Sequence, residues 1–215
     1  SDHGEYLGDY GSFGKRSMHD PSARVPLLAR LPGVFEGGKR IDTPVSLVDL
    51  APTFLRFGEA TLPRQKIDGI DLVDVVRGDA SREYVYSEHS IGQSSIDSMC
   101  RDSGNGDSLT AEEMRARNTT YMAVSSKWKY FYSAPDDREF LFDRIGDPRE
   151  TRNRAGVEFC RDAKEDAKQD LITTLEAAGE TAGLNGNDWR RFPRITIDSE
   201  PDRGLLIQDG YTPWA

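Results

Sequence analysis

Between residues 121 and 142, three short runs dense in aromatic and apolar side chains (121–124, 128–132 and 139–142) are separated by only a few polar residues. Connections that short cannot carry a parallel crossover, so the runs predict an antiparallel meander. Asp143-Arg144-Ile145-Gly146-Asp147-Pro148 closes it with turn chemistry. Residues 162–178 then take helical spacing, with Leu171, Ile172 and Leu175 on one face and Gly179 after the last turn. A small sheet with one helix packed on it is the unit around which the rest must be arranged.

The chain ahead of the meander is less regular. Residues 1–23 are rich in Gly, Ser and charge and read as a loop. Val25-Pro26-Leu27-Leu28-Ala29 has the length and apolarity of a strand entering a core, and Pro26 places it at a strand start or sheet edge. Gly37-Gly38 is a turn. Val45, Leu47, Val48, Leu50, Ala51, Phe54 and Leu55 approach helical spacing, with Gly58 as the stop and Pro52 kinking or splitting the helix. A second short helix spans Leu72, Val73, Val75 and Val76 and ends at Gly78, and residues 84–86 read as a strand followed by His89. Residues 90–117 form a polar surface insertion with one short helix at 111–116. The tail, 183–215, is polar with scattered Trp189, Phe192, Tyr211 and Trp214, and reads as an irregular extension.

A length of 215 residues allows one large domain or two small ones. The net charge of -9 argues against nucleic acid as a partner. It does not exclude an anionic substrate, because a metal and a few lysines invert the local field. No run approaches the roughly 18 apolar residues of a membrane span. Cys100 and Cys160 leave three options open: one disulfide, two buried thiols, or one reactive thiol.

The residue types suited to chemistry cluster at the start. Asp2 and His3 place a carboxylate and an imidazole side by side, and Gly4 lets the backbone bend directly after them. The carboxylate suits calcium or magnesium and the imidazole suits transition metals, so the pair leaves metal identity open. Lys15, after Gly14, can reach a sulfate or phosphate oxygen and offset charge on a departing oxygen. His19 can donate a proton, contact substrate, or pack on the strand expected at Arg24. His89 has a structural or surface role. Taken singly, Asp2 caps a turn, and His3 and Lys15 are solvated.

Their order carries more than the residues do singly. Ser1-Asp2-His3-Gly4-Glu5, Gly8-Asp9, Gly14-Lys15 and Ser22-Ala23-Arg24-Val25-Pro26-Leu27-Leu28 together resemble the sulfatase family of the alkaline phosphatase superfamily. The resemblance continues through residues 43–53, Gly69-Ile70-Asp71-Leu72, Trp128-Lys129-Tyr130, Phe140-Leu141-Phe142-Asp143, Asp147-Pro148 and Glu150. It implies an α/β fold, the C-terminal part of an alkaline phosphatase-like sulfatase: the edge of the large mixed sheet plus a small antiparallel sheet with a packed helix. Residues 1–83 would belong to the catalytic α/β domain, 84–182 to the small-sheet subdomain, and 183–215 to the extension.

The resemblance further implies sulfate ester hydrolysis, with carbohydrate as the substrate class and a periplasmic or secreted setting. Asp2 and His3 would be ligands of one divalent metal, usually calcium. Lys15 would contact the sulfate, with His19 facing the same pocket. Sulfatases use a formylglycine made from a Cys/Ser-x-Pro/Ala-x-Arg segment near the N-terminus, and neither cysteine opens such a segment. Cys100 leads into Arg101-Asp102-Ser103-Gly104 and Cys160 into Arg161-Asp162-Ala163-Lys164, while Ser133-Ala134-Pro135-Asp136 ends in Asp137. The expectation is therefore the back part of a longer enzyme, inactive alone, whose partner is the N-terminal part of the same sulfatase. The alternatives are a phosphonate monoester or phosphodiester hydrolase of the same superfamily, and a non-catalytic chain that binds carbohydrate or a partner.

Overall fold

In the computed structural model, residues 1–15, 17–60, 67–102 and 109–193 are described, the side chains of 98–102 excepted. The meander forms as expected and gains a strand. β1 (Val85–His89), β2 (Thr120–Val124), β3 (Trp128–Ser133) and β4 (Arg138–Asp143) make an antiparallel sheet in that order. The helices are α1 (Asp20–Ala23), α2 (Leu50–Phe57), α3 (Leu72–Arg77), α4 (Gln93–Asp102), α5 (Ala111–Arg117) and α6 (Arg161–Ala178).

Strand side chains alternate between faces, and here both faces are covered. Tyr121, Ala123, Tyr130, Tyr132 and Leu141 share a core with Ala167, Leu171 and Ile172 of α6. Met122, Val124, Phe131 and Phe142 form the opposite core with Met18, flanked by Ala23 and Phe140. The segment that begins with Asp2 and His3 is thus seated on one side of the sheet and α6 on the other. Two-sided burial is why β2 and β3 read as near-continuous apolar runs rather than as alternating ones.

Most helix boundaries follow their local chemistry. Asp71 caps α3 by accepting from the Val73 N–H, and Gly78, at φ 81, ends it. Gly179, at φ 85, ends α6. Pro52 is tolerated because it lies in the first turn of α2, where backbone N–H groups have no intrahelical acceptor. A one-turn 3-10 helix, Leu47–Asp49, precedes it, so the segment is split as the proline predicts. Behind this join Asp49 is wholly buried, accepting from the N–H groups of Ser46 and Ile70 and pairing with Arg82.

Three expectations differ from the structure. The sheet edge at residues 25–29 does not form: Pro26 has no N–H to give, no described segment pairs with this stretch, and Leu28 is 95% exposed. Residues 93–102 form α4 where loop was expected, because Ile96 is the one apolar anchor described there and leaves no periodic signal. The tail is not irregular throughout, since β5 (Leu184–Asn185) and β6 (Asp188–Trp189) make a hairpin that buries Trp189 in the α6 core. Tyr211 and Trp214 lie outside the described residues. Cys160 is a free, buried thiol, which removes the disulfide option. No helix of the described residues is long and apolar enough to cross a membrane.

Candidate metal and anion site

The first 23 residues fold back on themselves through backbone bonds that bring the two ends of the motif together. Tyr6 N–H donates to the Gly14 carbonyl at 3.0 Å, and Gly14 N–H donates to Glu5 Oε1 at 2.5 Å. The turn between them uses Gly8 at φ 101 and Tyr10 at φ 55. Gly4 N–H donates to the Ser22 carbonyl at 2.8 Å, and Ser22 Oγ donates to the Lys15 carbonyl at 2.6 Å. A Cβ at Gly4 would stand 1.9 Å from the Pro21 carbonyl oxygen. Glycine is therefore required at this position by close approach of α1, not by an unusual φ.

This folding sets Asp2, His3 and Lys15 side by side. His3 Nδ1 lies 2.8 Å from the Gly4 carbonyl, which can only accept, so Nδ1 donates there and Nε2 is the nitrogen turned towards Asp2 and Lys15. Lys15 Nζ is 2.7 Å from that Nε2, and Asp2 Oδ2 is 3.6 Å from it. The Asp2 carboxyl is held below the usual carboxylate range by its own backbone N–H and then by His3. An ionised carboxylate and the Nε2 of an imidazole thus converge with an ammonium beside them. That donor pair fits a divalent cation with an anion next to it. Among the described residues no group of three or more His, Cys, Asp and Glu converges in a metal-holding arrangement, so the pair alone does not make up a ligand set.

His19 occupies a different environment. Its ring packs against Phe131 at 5.3 Å and Phe142 at 5.5 Å and lies 4.7 Å from the Tyr10 ring. The hydroxyls of Ser17 and Tyr6 are 2.8 and 3.1 Å from its Nδ1. Burial, and then the Lys129 ammonium, bring its pKa down to about 4. The ring is neutral at pH 7, and it packs on β3 and β4 rather than on residues 24–31. His89 closes β1 opposite Thr120.

A charged cluster that the sequence motif does not assign to the site holds the Met18–Asp20 stretch that follows Lys15. The Lys129 ammonium sits 2.5 Å from Glu150 Oε1, donates to the Met18 carbonyl at 3.1 Å, and pairs with Asp20. The available signal was a lysine inside an otherwise aromatic strand, Trp128-Lys129-Tyr130-Phe131-Tyr132.

A family model described as N-sulphoglucosamine sulphohydrolase, C-terminal, matches residues 8–91. The choline-sulfatase of Rhizobium meliloti is 32% identical over 100% of this chain and 36% of its own length. The solved structure of BT4656 in complex with its substrate D-glucosamine-2-N,6-O-disulfate superposes with a TM-score of 0.61 at 25% identity, covering 84% of this chain and 34% of that one. The phosphonate monoester hydrolase of Agrobacterium radiobacter gives a TM-score of 0.63 at 26% identity, covering 83% and 34%. The chain spans 26–39% of the length of the curated relatives it matches.

Proposed function

We propose, on the footing that this chain belongs to the sulfatase family, that it forms part of an enzyme hydrolysing sulfate esters of carbohydrates. The observation that carries this is the convergence of Asp2, His3 and Lys15 within one hydrogen-bonded loop. In this reading Asp2 and His3 hold a divalent metal, calcium by family habit, and Lys15 binds a sulfate oxygen. When bound, the metal supplies positive charge beside the reacting ester. The remaining ligands and the formylglycine nucleophile come from the N-terminal part of the same sulfatase. Support for such a partner comes from the large apolar side chains left bare in the same loop, Leu7 at 79% and Phe13 at 64% exposed.

Lys15 keeps its charge on the sulfate while negative charge builds on the leaving oxygen, the moment at which an ammonium stabilises most. His19, packed on Phe131 and Phe142 with its Nδ1 beside the Ser17 and Tyr6 hydroxyls, is a neutral ring that supports the loop and does not act as a cation. Carbohydrate as the substrate class is supported by the sugar disulfate named as the substrate of BT4656. The likeness to a phosphonate monoester hydrolase favours a second reading, in which the transferred group is phosphonate.

Paired sulfate and phosphonate esters given to the enzyme containing this chain separate the two. Sulfate turnover should dominate, and Lys15→Ala should lower kcat/KM about 100- to 1000-fold. Residues 1–215 alone should show no turnover of an aryl sulfate. Enzyme-like rates from that chain, or a Lys15→Ala variant with normal kcat/KM, sink the proposal.

A further inference from the structure

Lys129 is out of character for its strand. Register places it between Val124 and Phe142, on the sheet face that receives Met18 and His19, and it is 1% exposed. A buried ammonium persists only when it is paired and hydrogen-bonded. Two of its three partners, the Met18 carbonyl and the Asp20 carboxylate, belong to the segment that joins Lys15 to α1.

The third partner, Glu150, binds the same segment again. Its Oε1 faces Lys129 at 2.5 Å, and its Oε2 accepts from the Asp20 backbone N–H at 2.8 Å. Glu150 sits at φ 52, a backbone region disfavoured for a residue with a Cβ. Asp147 sustains that turn: its carbonyl accepts from Glu150 N–H at 2.9 Å, and its carboxylate accepts from Thr151 Oγ1 and Arg152 N–H at 2.9 and 2.8 Å. The turn has a further hold on the loop, since Tyr10 OH donates to the Arg149 carbonyl at 2.5 Å while its ring lies on His19.

We infer that Lys129 and Glu150 are positioning residues that seat α1 and so keep Lys15 against His3. Ser22 transmits the effect, because its hydroxyl holds the Lys15 carbonyl and its own carbonyl holds Gly4 N–H. Folding alone does not call for charge here, since buried ion clusters replaced by apolar side chains of similar volume are often neutral or stabilising. What the charges add is one defined seat for Asp20 and Met18 on the sheet. The catalytic consequence rests on the sulfatase reading, whereas the seating of the loop does not.

Hydrogen exchange on the full chain, with Lys129→Met and Glu150→Gln, tests the seating. Amides within residues 3–22 should exchange at least tenfold faster, with β2 to β4 and α6 as protected as in the wild type. Unchanged exchange at 3–22 in both variants overturns the inference. Equal acceleration throughout the sheet also overturns it, because the cluster would then be a general stability element. In the sulfatase containing this chain, Glu150→Gln should lower kcat at least tenfold with KM changed less than threefold, and the loss should vanish in a Lys15→Ala background. A loss of the same size in that background overturns the route through Lys15. Absence of sulfate turnover in the wild type removes the sulfatase reading and leaves the exchange result to decide the seating.

Discussion

Gly4→Ala perturbs the site through a single contact. The added Cβ would meet the Pro21 carbonyl oxygen at 1.9 Å, its carbon at 2.9 Å and the Ser22 carbonyl oxygen at 3.3 Å. All three are backbone atoms and cannot rotate aside. An ordinary carbon–oxygen contact of about 3.3 Å requires the loop to retreat from α1 by about 1.4 Å. The Gly4 N–H bond to Ser22, 2.8 Å long, is lost in the process. That bond is worth about 1 kcal/mol, so the melting temperature should fall by only about 2–4 °C. Asp2 and His3 precede the displaced residue and move with it away from Lys15. A shift of about 1 Å in a catalytic group costs on the order of 100-fold in rate. Activity and stability should therefore separate: if the proposed sulfatase reading holds, kcat/KM of the enzyme containing the variant falls about 100-fold while the sheet unfolds almost as before. Gly37→Ala is the control, since nothing lies within 4 Å of a Cβ there. A Gly4→Ala enzyme with wild-type turnover, or one whose activity loss tracks global unfolding, refutes the reasoning.

Two predictions concern the cores on either side of the sheet. His19 is held at about 4, below the 6.5 of an unperturbed imidazole, so between those values the unfolded chain binds a proton that the folded chain does not. Stability should therefore fall as pH drops from 6.5 towards 4 and be insensitive to this group above 6.5; urea midpoints at pH 7 and pH 5 should differ more in the wild type than in His19→Phe, and equal differences refute the assignment. Trp189 is stacked on Tyr121 and Tyr132 at 5.3 and 4.7 Å and donates to Tyr130 OH at 2.6 Å. Trp189→Ala should cost about 3–5 kcal/mol in urea denaturation, and a loss below about 1 kcal/mol would place the hairpin outside the cooperative unit.

What was legible in the sequence was whatever local chemistry alone decides. The meander followed from spacing, α3 and α6 from apolar periodicity with glycine stops, and the nearness of Asp2, His3 and Lys15 from an ordered motif in one loop. Residues 25–29 show where this fails: apolarity marks a segment for burial but does not supply the neighbour that makes it a strand. α4 fails for the opposite reason, since its described apolar content is one side chain, Ile96. Trp189 was visible as an aromatic in a polar tail, but its burial depends on Tyr130 and Tyr132, some 60 residues earlier. The Lys129 cluster was illegible as a site for the same reason, its members lying 109 and 130 positions from the residues they hold.

The sheet register ties these distant parts together. Along β3, Tyr130 and Tyr132 face α6, while Lys129 and Phe131 face the loop that carries Lys15. Because strand side chains alternate with a period of two, slipping β3 by one residue would exchange the two sets. Lys129 would then enter the α6 core without its carboxylates, and Tyr130 would lose both the Trp189 indole and Glu139, its partners at 2.6 and 2.8 Å. Each face thus penalises the slip independently, one through an unpaired buried charge and the other through a broken hydrogen-bond chain. The segments Trp128-Lys129-Tyr130, Phe140-Leu141-Phe142 and Asp147-Pro148 with Glu150 are weak resemblances when taken singly. In the fold they act together, since the first two set the register that brings Lys129 under Asp20 and the third closes the seat from below.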